Sequence, residues 1–564
     1  MPDISEIGSV RTIVETALEK GVVDVVLSPG SRNSPLIISF NALEDFRCIS
    51  IVDERTAGFM ALGMSQQSKQ SVLLCCTSGS AMLNYAPALA EAYYQNIPLI
   101  VITADRPAKW IDQGEGQSIR QSHLLDGILI KAVDLVNERS EDDAWYNRRL
   151  VNEAFESAWT NQKPVQINVP LNEPLYNTMH WERPLVNRGF SFVRSERLLS
   201  DGDLNGLLTI WSQRSRVMIL MGQNSNEERI KAHIKTLSEH PNVAVLTEST
   251  ANVGHFGLVS CIDRTLETFL GSTDEANFVP DLLITIGGNI ISKKLKQFLR
   301  NHKADVVNHW HFGSESVDTF QSLTHIIDAH PAQILGGMSK SKVKKNSGFS
   351  SLWKGAFFKA EQSHRNFLDS APYSDLKVFE MIMDFIPDEW IIQMGNSSVV
   401  RYIQLFNQIP SVKYFGNRGV SGIEGCTSTA VGAAMKTVAQ VLLISGDHAF
   451  RYDANGLSFE RLPANLRIVV INNGGGNIFR IIEGPSQHKT SDDFIEHSQN
   501  KSVKGLVEYH NVHYHSASNL EEIERVLPRF FSMESNACQV LEIFTPRVES
   551  PIILKEYFKS IKNG

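Results

Sequence analysis

The chain has 564 residues, a length that predicts roughly three or four domains. Hydrophobic residues make up 42% and charged residues 21%, as in soluble globular proteins, and no apolar run is long enough to span a membrane. The formal net charge of −8 argues against nucleic acid as the main partner. Any anionic substrate must therefore be bound by local clusters of basic residues.

The cysteine pattern and the N-terminus favour a cytoplasmic protein. No C-x-x-C pair occurs among the six cysteines. Cys75 and Cys76 end the apolar run Val72–Cys76, so we expect buried, reduced thiols. The first residues, MPDISEIG, contain neither a basic stretch nor an apolar run, and so they do not resemble a signal peptide.

Short apolar runs alternate with helical patterns in the first third of the chain. This alternation predicts a doubly wound α/β domain with a parallel sheet over residues 1–180. Residues 175–200 contain Pro184 and many charges, and they predict a linker. The predicted strands are Val22–Leu27, Cys48–Val52, Val72–Cys76, Leu99–Thr103 and Val165–Val169, and the predicted helices are Val10–Glu19, Glu54–Gln67, Ala81–Tyr94 and Asp143–Thr160.

The same alternation predicts two more α/β domains, at 200–337 and 352–564. Between them, Gly336–Ser351 is basic and polar, which predicts a second linker. The predicted strands are Val217–Met221, Val243–Thr247, Leu282–Ile286 and Asp305–Asn308 in the second domain, and Trp390–Met394, Val412–Phe415, Val441–Ile444, Ile468–Ile471 and Val540–Ile543 in the third.

Polar residues follow two successive apolar runs in the predicted third domain. Asp447 follows the apolar run Val441–Ile444, and Asn473 follows Ile468–Ile471. Parallel strands joined by a helix place both ends at one edge of the sheet, where two oxygen ligands can hold Mg²⁺. The glycines at 474–476 allow a close approach to a phosphate. We therefore predict a Mg²⁺-diphosphate site, although an ordinary βαβ unit would show the same turn residues.

This pattern resembles the motif of thiamine diphosphate (ThDP) enzymes, Gly-Asp followed about 25 residues later by Asn-Asn. The resemblance implies three doubly wound domains, for the pyrimidine, a central unit and the diphosphate. It also implies that Asp447, Asn473 and the carbonyl of Gly475 bind Mg²⁺ or Mn²⁺. His448 stands where many members have Gly, but that position lies outside the ligand set.

The same resemblance gives a role to a carboxylate far away in the sequence. By position alone, Glu54 would be a first-turn acid that complements a helix dipole. Its context, DER-x-AG, is similar to that of the Glu that activates the cofactor pyrimidine in ThDP enzymes. Ile423 matches the apolar residue beneath the bent cofactor. Because cofactor sites in that class lie between two subunits, the resemblance implies a homodimer or a tetramer.

Several basic residues follow the predicted strands and suggest a pocket for carboxylates. Arginine suits this task because its planar guanidinium binds a carboxylate through two hydrogen bonds. Each of these residues alone is more often a structural or solvated charge. The residues are Arg32 in SPGSRNSPL, Arg106 in ADRP, Arg120, Arg401, Arg418 in GNRG, and Lys293-Lys294.

The motifs together resemble the family of 2-succinyl-5-enolpyruvyl-6-hydroxy-3-cyclohexene-1-carboxylate (SEPHCHC) synthases. SPGSRNSPL, VDERTAGF, ITADRP, GQSIRQ, GNSSVVR, GNRGVSGIEG and INNGGGNIF occur in order over residues 28–479. The resemblance implies a transferase of menaquinone biosynthesis. It would decarboxylate 2-oxoglutarate and add the succinyl carbanion to isochorismate. One departure is Gly116, where the family often has Asn.

The resemblance also implies roles for individual residues at the substrates. Ser397, Arg401 and Arg418 would contact the succinyl part, and Ile478 and Phe479 would form an apolar wall, with Ile478 next to the cofactor. The residues expected at isochorismate are Ser31, Arg32, Arg106, Gln117 and Lys293. Of these, Arg32, Gln117, Ser397, Arg401 and Arg418 are predicted to act with Glu54 in catalysis.

Three alternatives remain open at the level of the sequence. Another ThDP enzyme, such as one similar to acetolactate synthase, would act on smaller keto acids and need fewer arginines. A hydrolase is disfavoured because Gly419-Val420-Ser421 lacks the ending of a nucleophile elbow. A non-catalytic protein with the same fold would not need Glu54, Asp447 and Asn473. The strand residues His309-Trp310-His311 have no third ligand nearby and are interpreted as structural.

Overall fold

The computed structural model describes residues 2–182, 189–193, 195–223, 228–254, 257–340, 346–481, 491–533 and 537–564. Helices in these ranges alternate with parallel strands, so the predicted α/β class is confirmed. None of those helices combines the length and apolarity needed to cross a lipid bilayer. The domain boundaries 1–180, 200–337 and 352–564 stay predictions.

The first sheet is parallel, with strand order β3-β2-β4-β5-β7-β6, as a doubly wound topology requires. Its strands are fully buried where the sequence is an unbroken apolar run, as in Val72–Cys76. The elements are β1 (Asp3–Ser5), α1 (Gly8–Glu19), β2 (Asp24–Leu27), α2 (Ser34–Asn41), β3 (Arg47–Ser50), α3 (Glu54–Ser68), β4 (Val72–Cys76), α4 (Ala81–Gln95), β5 (Leu99–Asp105), β6 (Lys131–Asp134), α5 (Glu141–Asn161), β7 (Val165–Pro170) and β8 (Thr178–His180).

Four of these elements were not predicted, namely β1, α2, β6 and β8. Strand β6 has the sequence KAVD and lies at the edge of the sheet. An edge strand is partly exposed to solvent, so its sequence need not be a continuous apolar run. Strand β8 falls within the predicted linker 175–200 and pairs antiparallel with β1. The other described residues of that linker, between β8 and Ser200, form no helix or strand.

The central sheet is also parallel, with strand order β10-β9-β11-β12-β13. The predicted strand Asp305–Asn308 is wrong, because the amide of Asp305 donates to the carbonyl of His302 in a turn and pairing with the neighbouring strand begins only at Asn308. The elements are α6 (Asp201–Ser212), β9 (Val217–Met221), α7 (Glu228–Ser238), β10 (Val243–Thr247), α8 (Ile262–Glu267), β11 (Leu282–Ile286), α9 (Lys293–Asn301), β12 (Asn308–Phe312), β13 (His325–Ile327) and α10 (Ala332–Lys340).

The third sheet has six parallel strands in the order β15-β14-β16-β17-β19-β18. Its elements are α11 (Phe349–Leu368), α12 (Asp375–Phe385), β14 (Ile391–Met394), α13 (Ser398–Ile403), β15 (Lys413–Gly416), α14 (Cys426–Ala434), β16 (Val441–Gly446), α15 (Asp447–Tyr452), β17 (Leu466–Asn472), α16 (Ile478–Ile481), α17 (Lys504–Tyr509), β18 (His513–Ala517), α18 (Leu520–Phe530), β19 (Gln539–Phe544) and α19 (Glu549–Asn563).

The second linker was predicted too long. Helix α10 continues to Lys340 and α11 begins at Phe349, so both ends of the segment Gly336–Ser351 are helical. The reason is burial: Met338 and Phe349 are almost fully enclosed in the hydrophobic core despite their polar neighbours. Residues 341–345 of this segment lie outside the described residues.

Helices α3 and α14 hold the first and third domains together. Two glycines make the contact possible, because a Cβ on Gly63 would lie 2.0 Å from the carbonyl oxygen of Thr429. A Cβ on Gly432 would lie 2.0 Å from the carbonyl oxygen of Met60. The two backbones therefore approach more closely than any larger residue allows, and one hydrophobic core runs through both domains.

Candidate active site

A cavity of about 250 Å³ opens at the carboxyl ends of β14, β16 and β17 in the third domain. Ligand sites in open parallel sheets lie at this edge. The structure brings together there many of the residues predicted from the sequence. The predicted residues in its lining are Ser397, Ile423, Asp447, Asn473, Gly475, Ile478 and Phe479.

Asp447 is one of the acidic residues that line the cavity. It begins helix α15 directly after strand β16, and its side chain is 2% exposed. Burial raises the pKa of Asp447, while the neighbouring His448 and Arg451 lower it. Arg451 donates a hydrogen bond from Nη1 to Asp447 Oδ2 over 3.3 Å. The second carboxylate oxygen remains available to a cation.

Asn473 is oriented by a buried carboxylate that the sequence did not reveal. Its Nδ2 donates to Oδ2 of Asp375 over 3.0 Å, which leaves its Oδ1 for another partner. Asp375 also accepts a hydrogen bond from Thr545 Oγ1 over 2.5 Å. Burial raises the pKa of Asp375, and these hydrogen bonds oppose that effect. Such an anchored amide presents its oxygen in a fixed direction.

The donor set of the cavity fits a magnesium ion. Asp447 supplies a carboxylate, Asn473 an amide oxygen, and Gly475 a carbonyl that already accepts one hydrogen bond, from the amide of Asn477 over 2.8 Å. Oδ1 of Asn477 is buried without a hydrogen-bond partner in the described part of the chain. Within those residues, no cluster of three or more His, Cys, Asp or Glu side chains offers an alternative metal site. Oxygen-only ligation suits Mg²⁺ or Mn²⁺.

Glu54 lies at the first position of α3, as predicted, but outside the lining of this cavity in its own chain. Asp53 caps the helix by accepting hydrogen bonds from the amides of Arg55 and Thr56. Glu54 Oε2 accepts a hydrogen bond from Nδ2 of Asn84 over 3.3 Å. This hydrogen bond is exposed at the surface of the chain.

Arg401 and Arg418 are placed near the cavity rather than in its wall. Nη1 of Arg418 donates to Oδ1 of Asn396, a lining residue, over 2.8 Å. The Nε atoms of both arginines are buried without a hydrogen-bond partner among the described residues. Burial lowers the pKa of Arg418 and Arg401 lowers it further, while Glu248 opposes the change. Two such guanidinium groups favour an anionic ligand.

The loop that carries Arg418 is held by the first domain through Glu91 on helix α4. This carboxylate is 1% exposed and accepts hydrogen bonds from the amides of Gly419, Val420 and Ser421 over 2.5, 2.8 and 3.3 Å. Ser421 adopts the left-handed conformation, with φ of 65°, a strain that the three bonds help to maintain. These hydrogen bonds therefore hold the loop in this conformation without a ligand.

The central domain holds the same loop from the other side. Nδ2 of Asn289 donates to the carbonyl oxygens of Arg418 and Gly419 over 2.8 and 3.3 Å. Nε2 of Gln223 donates to Oε1 of Gln95, one turn along α4 from Glu91, over 2.9 Å. All three domains consequently meet at the loop 418–421.

The residues predicted for isochorismate are not brought into the cavity. Arg32 is 6% exposed, and its guanidinium donates to the carbonyl of Leu171 over 3.0 Å and to Glu173 over 3.3 Å. Arg106 pairs with Glu115 and donates to the carbonyl of Gly116. Both guanidinium groups therefore already have partners within the protein. Ser31, Gln117 and Lys293 are exposed at the surface of the chain.

Sequence reasoning missed several residues of the cavity. Asp375 lines it but belongs to no motif that was considered, and Asn396 and Asn477 lie within the motifs GNSSVVR and INNGGGNIF but were given no role. The structure also brings His448 and His497 together, with Nε2 of His448 3.0 Å from the carbonyl oxygen of His497. The sequence did not reveal this pair, since 48 residues stand between the two histidines. The one sequence feature that pointed to a histidine at this site was the position of His448 next to Asp447.

The comparisons with known proteins agree with this geometry. Residues 9–124 match the family model described as thiamine pyrophosphate enzyme, N-terminal TPP binding domain. Together with the three parallel sheets, the match defines the class as the thiamine diphosphate enzymes.

Curated relatives narrow the class to one family, and all three described here are named SEPHCHC synthase. The relative from Flavobacterium johnsoniae is 36% identical over 99% of each chain. That from Christiangramia forsetii is 38% identical over 99% of this chain and 100% of its own, and that from Porphyromonas gingivalis is 38% identical over 99% and 98%. The chain belongs to the family of SEPHCHC synthases.

Proposed function

We propose that the protein is a transferase that decarboxylates 2-oxoglutarate and adds the remaining succinyl unit to isochorismate. The products are SEPHCHC and CO₂, and the reaction serves menaquinone biosynthesis. The observation that carries the proposal is the similarity to SEPHCHC synthases over nearly the whole chain. The oxygen-lined cavity of the third domain supports it.

ThDP, when bound, supplies the electron sink for the bond that breaks as CO₂ leaves. The residues that would hold its diphosphate through Mg²⁺ or Mn²⁺ are Asp447, Asn473 and Gly475, which share one cavity wall. Ile423 would support the bent cofactor from below. Glu54 would hold a proton at the pyrimidine ring, as a carboxylate at the start of a helix can do.

The charges of the two substrates fit the basic residues near the cavity. Both 2-oxoglutarate and isochorismate carry two carboxylates, and charge-assisted hydrogen bonds from arginine bind carboxylates tightly. We assign Ser397, Arg401 and Arg418 to 2-oxoglutarate, and Ile478 and Phe479 to the apolar wall. The residues assigned to isochorismate are Ser31, Arg32, Arg106, Gln117 and Lys293. Arg32 and Arg106 must then exchange their present partners for the substrate.

A complete site would need two copies of the chain in a homodimer or tetramer of the cytoplasm. The position of Glu54 supports this proposal, because it lies outside the cavity that holds Asp447 in the same chain. Val52, two residues before Glu54, is 78% exposed, and Tyr94 on α4 is 57% exposed. Large apolar side chains at the surface near a catalytic group favour an interface.

An omission assay tests the proposed function. The purified protein is incubated with ThDP, Mg²⁺, 2-oxoglutarate and isochorismate, and CO₂ and the coupled product are measured as each component is left out. We expect no product without any one of the four. Release of CO₂ from pyruvate in preference to 2-oxoglutarate would contradict the proposal and favour an enzyme similar to acetolactate synthase.

A further inference from the structure

A buried glutamine joins several loops at the carboxyl edge of the first sheet. Gln121, the last residue of the motif GQSIRQ, is completely buried, and no role for it was predicted. Its Oε1 accepts a hydrogen bond from the amide of Gly79 over 2.6 Å. Its Nε2 donates to the carbonyl oxygen of Ala104 over 3.1 Å and to Oδ1 of Asn168 over 3.0 Å. Both N–H groups and the oxygen of the side chain are therefore bonded, which fixes its orientation.

Asn168 extends this contact to Arg106. Its Nδ2 donates to Oδ2 of Asp105 over 2.9 Å, and Oδ1 of the same carboxylate accepts a hydrogen bond from the amide of Arg106 over 2.7 Å. Arg106 in turn donates from Nε to the carbonyl oxygen of Gly116 over 2.9 Å. The loop that begins at Gly116 and ends at the buried glutamine is therefore held at both ends.

Gln117 lies on this loop and is in close contact with Gly79. Its φ of 54° is in the left-handed region, which is unfavourable for a residue with a side chain. A Cβ on Gly79 would lie 3.1 Å from the carbonyl carbon of Gln117 and 3.2 Å from its Cα. Because the amide of Gly79 is bonded to Gln121, the position of Gln117 depends on Gln121 both along the chain and through Gly79.

The first loop of the chain reaches the same place. A Cβ on Gly30 would lie 2.3 Å from the Cβ of Thr77, and the amide of Arg32 donates to Oγ1 of Thr77 over 3.3 Å. Thr77 stands two residues before the glycine that bonds to the buried amide. The segments of Arg32, Arg106 and Gln117, three residues assigned to isochorismate, are thus joined around one glutamine.

We propose that Gln121 is a positioning residue of the isochorismate site and fixes Gln117 and Arg106 in the arrangement that binds this substrate. The proposal rests on the proposed function, to which it adds a residue that acts without touching the substrate. Loss of the amide would release the loop, and a small displacement of substrate-binding groups can cost about a hundredfold in rate. The basic loop assigned to the keto acid is held by Glu91 and Asn289 instead, so the effect should be confined to isochorismate.

The test measures the two substrates separately. Because CO₂ leaves before isochorismate adds, kcat/KM for 2-oxoglutarate describes the first half of the reaction and kcat/KM for isochorismate the second. Gln121→Met keeps the length of the side chain but removes its hydrogen bonds. We expect kcat/KM for isochorismate to fall about 10–100-fold in this variant. The value for 2-oxoglutarate should stay close to that of the wild-type protein.

Gln166→Met is the matched control. Gln166 is also buried in the first sheet, at 2% exposure, but its Nε2 donates to Oγ1 of Thr103 on the neighbouring strand over 2.9 Å. This variant should lower the thermal midpoint and leave both kcat/KM values unchanged.

Gly79→Ala disturbs the same loop while it keeps the buried amide. Its new Cβ would lie 3.1 Å from the carbonyl carbon of Gln117, so the backbone of Gln117 must move. We expect the same selective loss for isochorismate as in Gln121→Met.

The outcomes separate this inference from the proposed function. If the wild-type protein forms no coupled product, the proposed function itself fails. If the wild-type protein is active and Gln121→Met lowers both kcat/KM values equally, or neither, Gln121 merely supports the fold and the inference is overturned. If Gln121→Met does not fold, the same comparison in Gly79→Ala decides the question.

Discussion

At the scale of single residues, the site depends on a few polar atoms whose direction is fixed by buried partners. Asn473 turns its oxygen toward the cavity because its amide nitrogen is bound to Asp375. Glu54 begins a helix that Asp53 caps. Since these partners are themselves held in place, the donor atoms need no rearrangement before they bind a ligand.

Removal of the Asp375 carboxylate should weaken metal binding. In Asp375→Ala, Nδ2 of Asn473 loses its acceptor, so the amide can rotate away from the metal. We expect the Mg²⁺ concentration needed for half-maximal ThDP binding to rise roughly 10–100-fold, as measured by quenching of intrinsic fluorescence.

Thr545→Val is the matched control for this variant. It removes the Thr545 hydroxyl that donates to Asp375 but leaves the hydrogen bond between Asn473 and Asp375. It should lower the thermal midpoint without changing the Mg²⁺ requirement. An unchanged requirement in Asp375→Ala would show that Asp375 does not orient a metal ligand.

Glu54→Gln should reduce turnover by roughly 10²–10⁴-fold, the usual effect of a lost proton-transfer group. The side chain keeps its size and its contact with Asn84, so cofactor binding and the thermal midpoint should stay close to those of the wild-type protein. Steady-state kinetics with both substrates at saturation provide the measurement. Turnover within a factor of two of the wild-type value would remove Glu54 from its proposed role.

At the scale of elements, the close packing of α3 on α14 connects the two domains of the proposed site. The contact is made by backbone atoms around Gly63 and Gly432, so the relative position of the helices depends on the absence of two side chains. Side chains at such contacts cannot be accommodated without movement of a helix.

Gly432→Ala should therefore destabilise the protein. Its new Cβ would lie 2.0 Å from the carbonyl oxygen of Met60, and the cost of overpacking is about 1–3 kcal/mol or more. We expect a lower thermal midpoint by differential scanning fluorimetry. Gly206→Ala in α6 is the control, because nothing lies within 4 Å of its Cβ and alanine favours a helix. Equal midpoints in both variants would contradict the packing argument.

The elements also show how much could be predicted from the sequence. Apolar runs identified the buried strands, and β4, β9, β10 and β11 have the predicted bounds. The cavity residues Asp447 and Asn473 were found because they follow such runs. The present partners of Arg32, Leu171 and Glu173, could not be predicted because they are about 140 residues away in the sequence. Asp375 was missed for the same reason, since only the folded chain brings it to Asn473.

At the scale of the whole molecule, the proposed site requires two chains, and a mixture of inactive variants can test this. Glu54→Gln lacks the pyrimidine partner, and Asp447→Ala lacks a metal ligand. A mixed dimer of the two contains one site with both defects and one intact site. After unfolding and refolding together, about a quarter of the wild-type activity should return, because half of the dimers are mixed and each has one good site.

Each variant refolded alone is the control for this experiment and should stay inactive. Gel filtration before the assay confirms that subunits have associated. No recovery of activity in mixed dimers would mean that Glu54 and Asp447 act within one chain, and the interface proposal would then be abandoned.

The junction of the three domains at the loop 418–421 has a consequence for communication within the protein. Glu91, Asn289 and the loop form one network, so a substrate that stiffens the loop must also stiffen the central domain. Thermodynamic linkage makes this effect mutual: a change in the central domain that loosens the network must lower substrate affinity by the same free energy. Hydrogen exchange would show the link directly, as slower exchange of the amides of Ile291 and Ser292 when 2-oxoglutarate is bound. The central domain would then act as a regulator of the site rather than as a spacer.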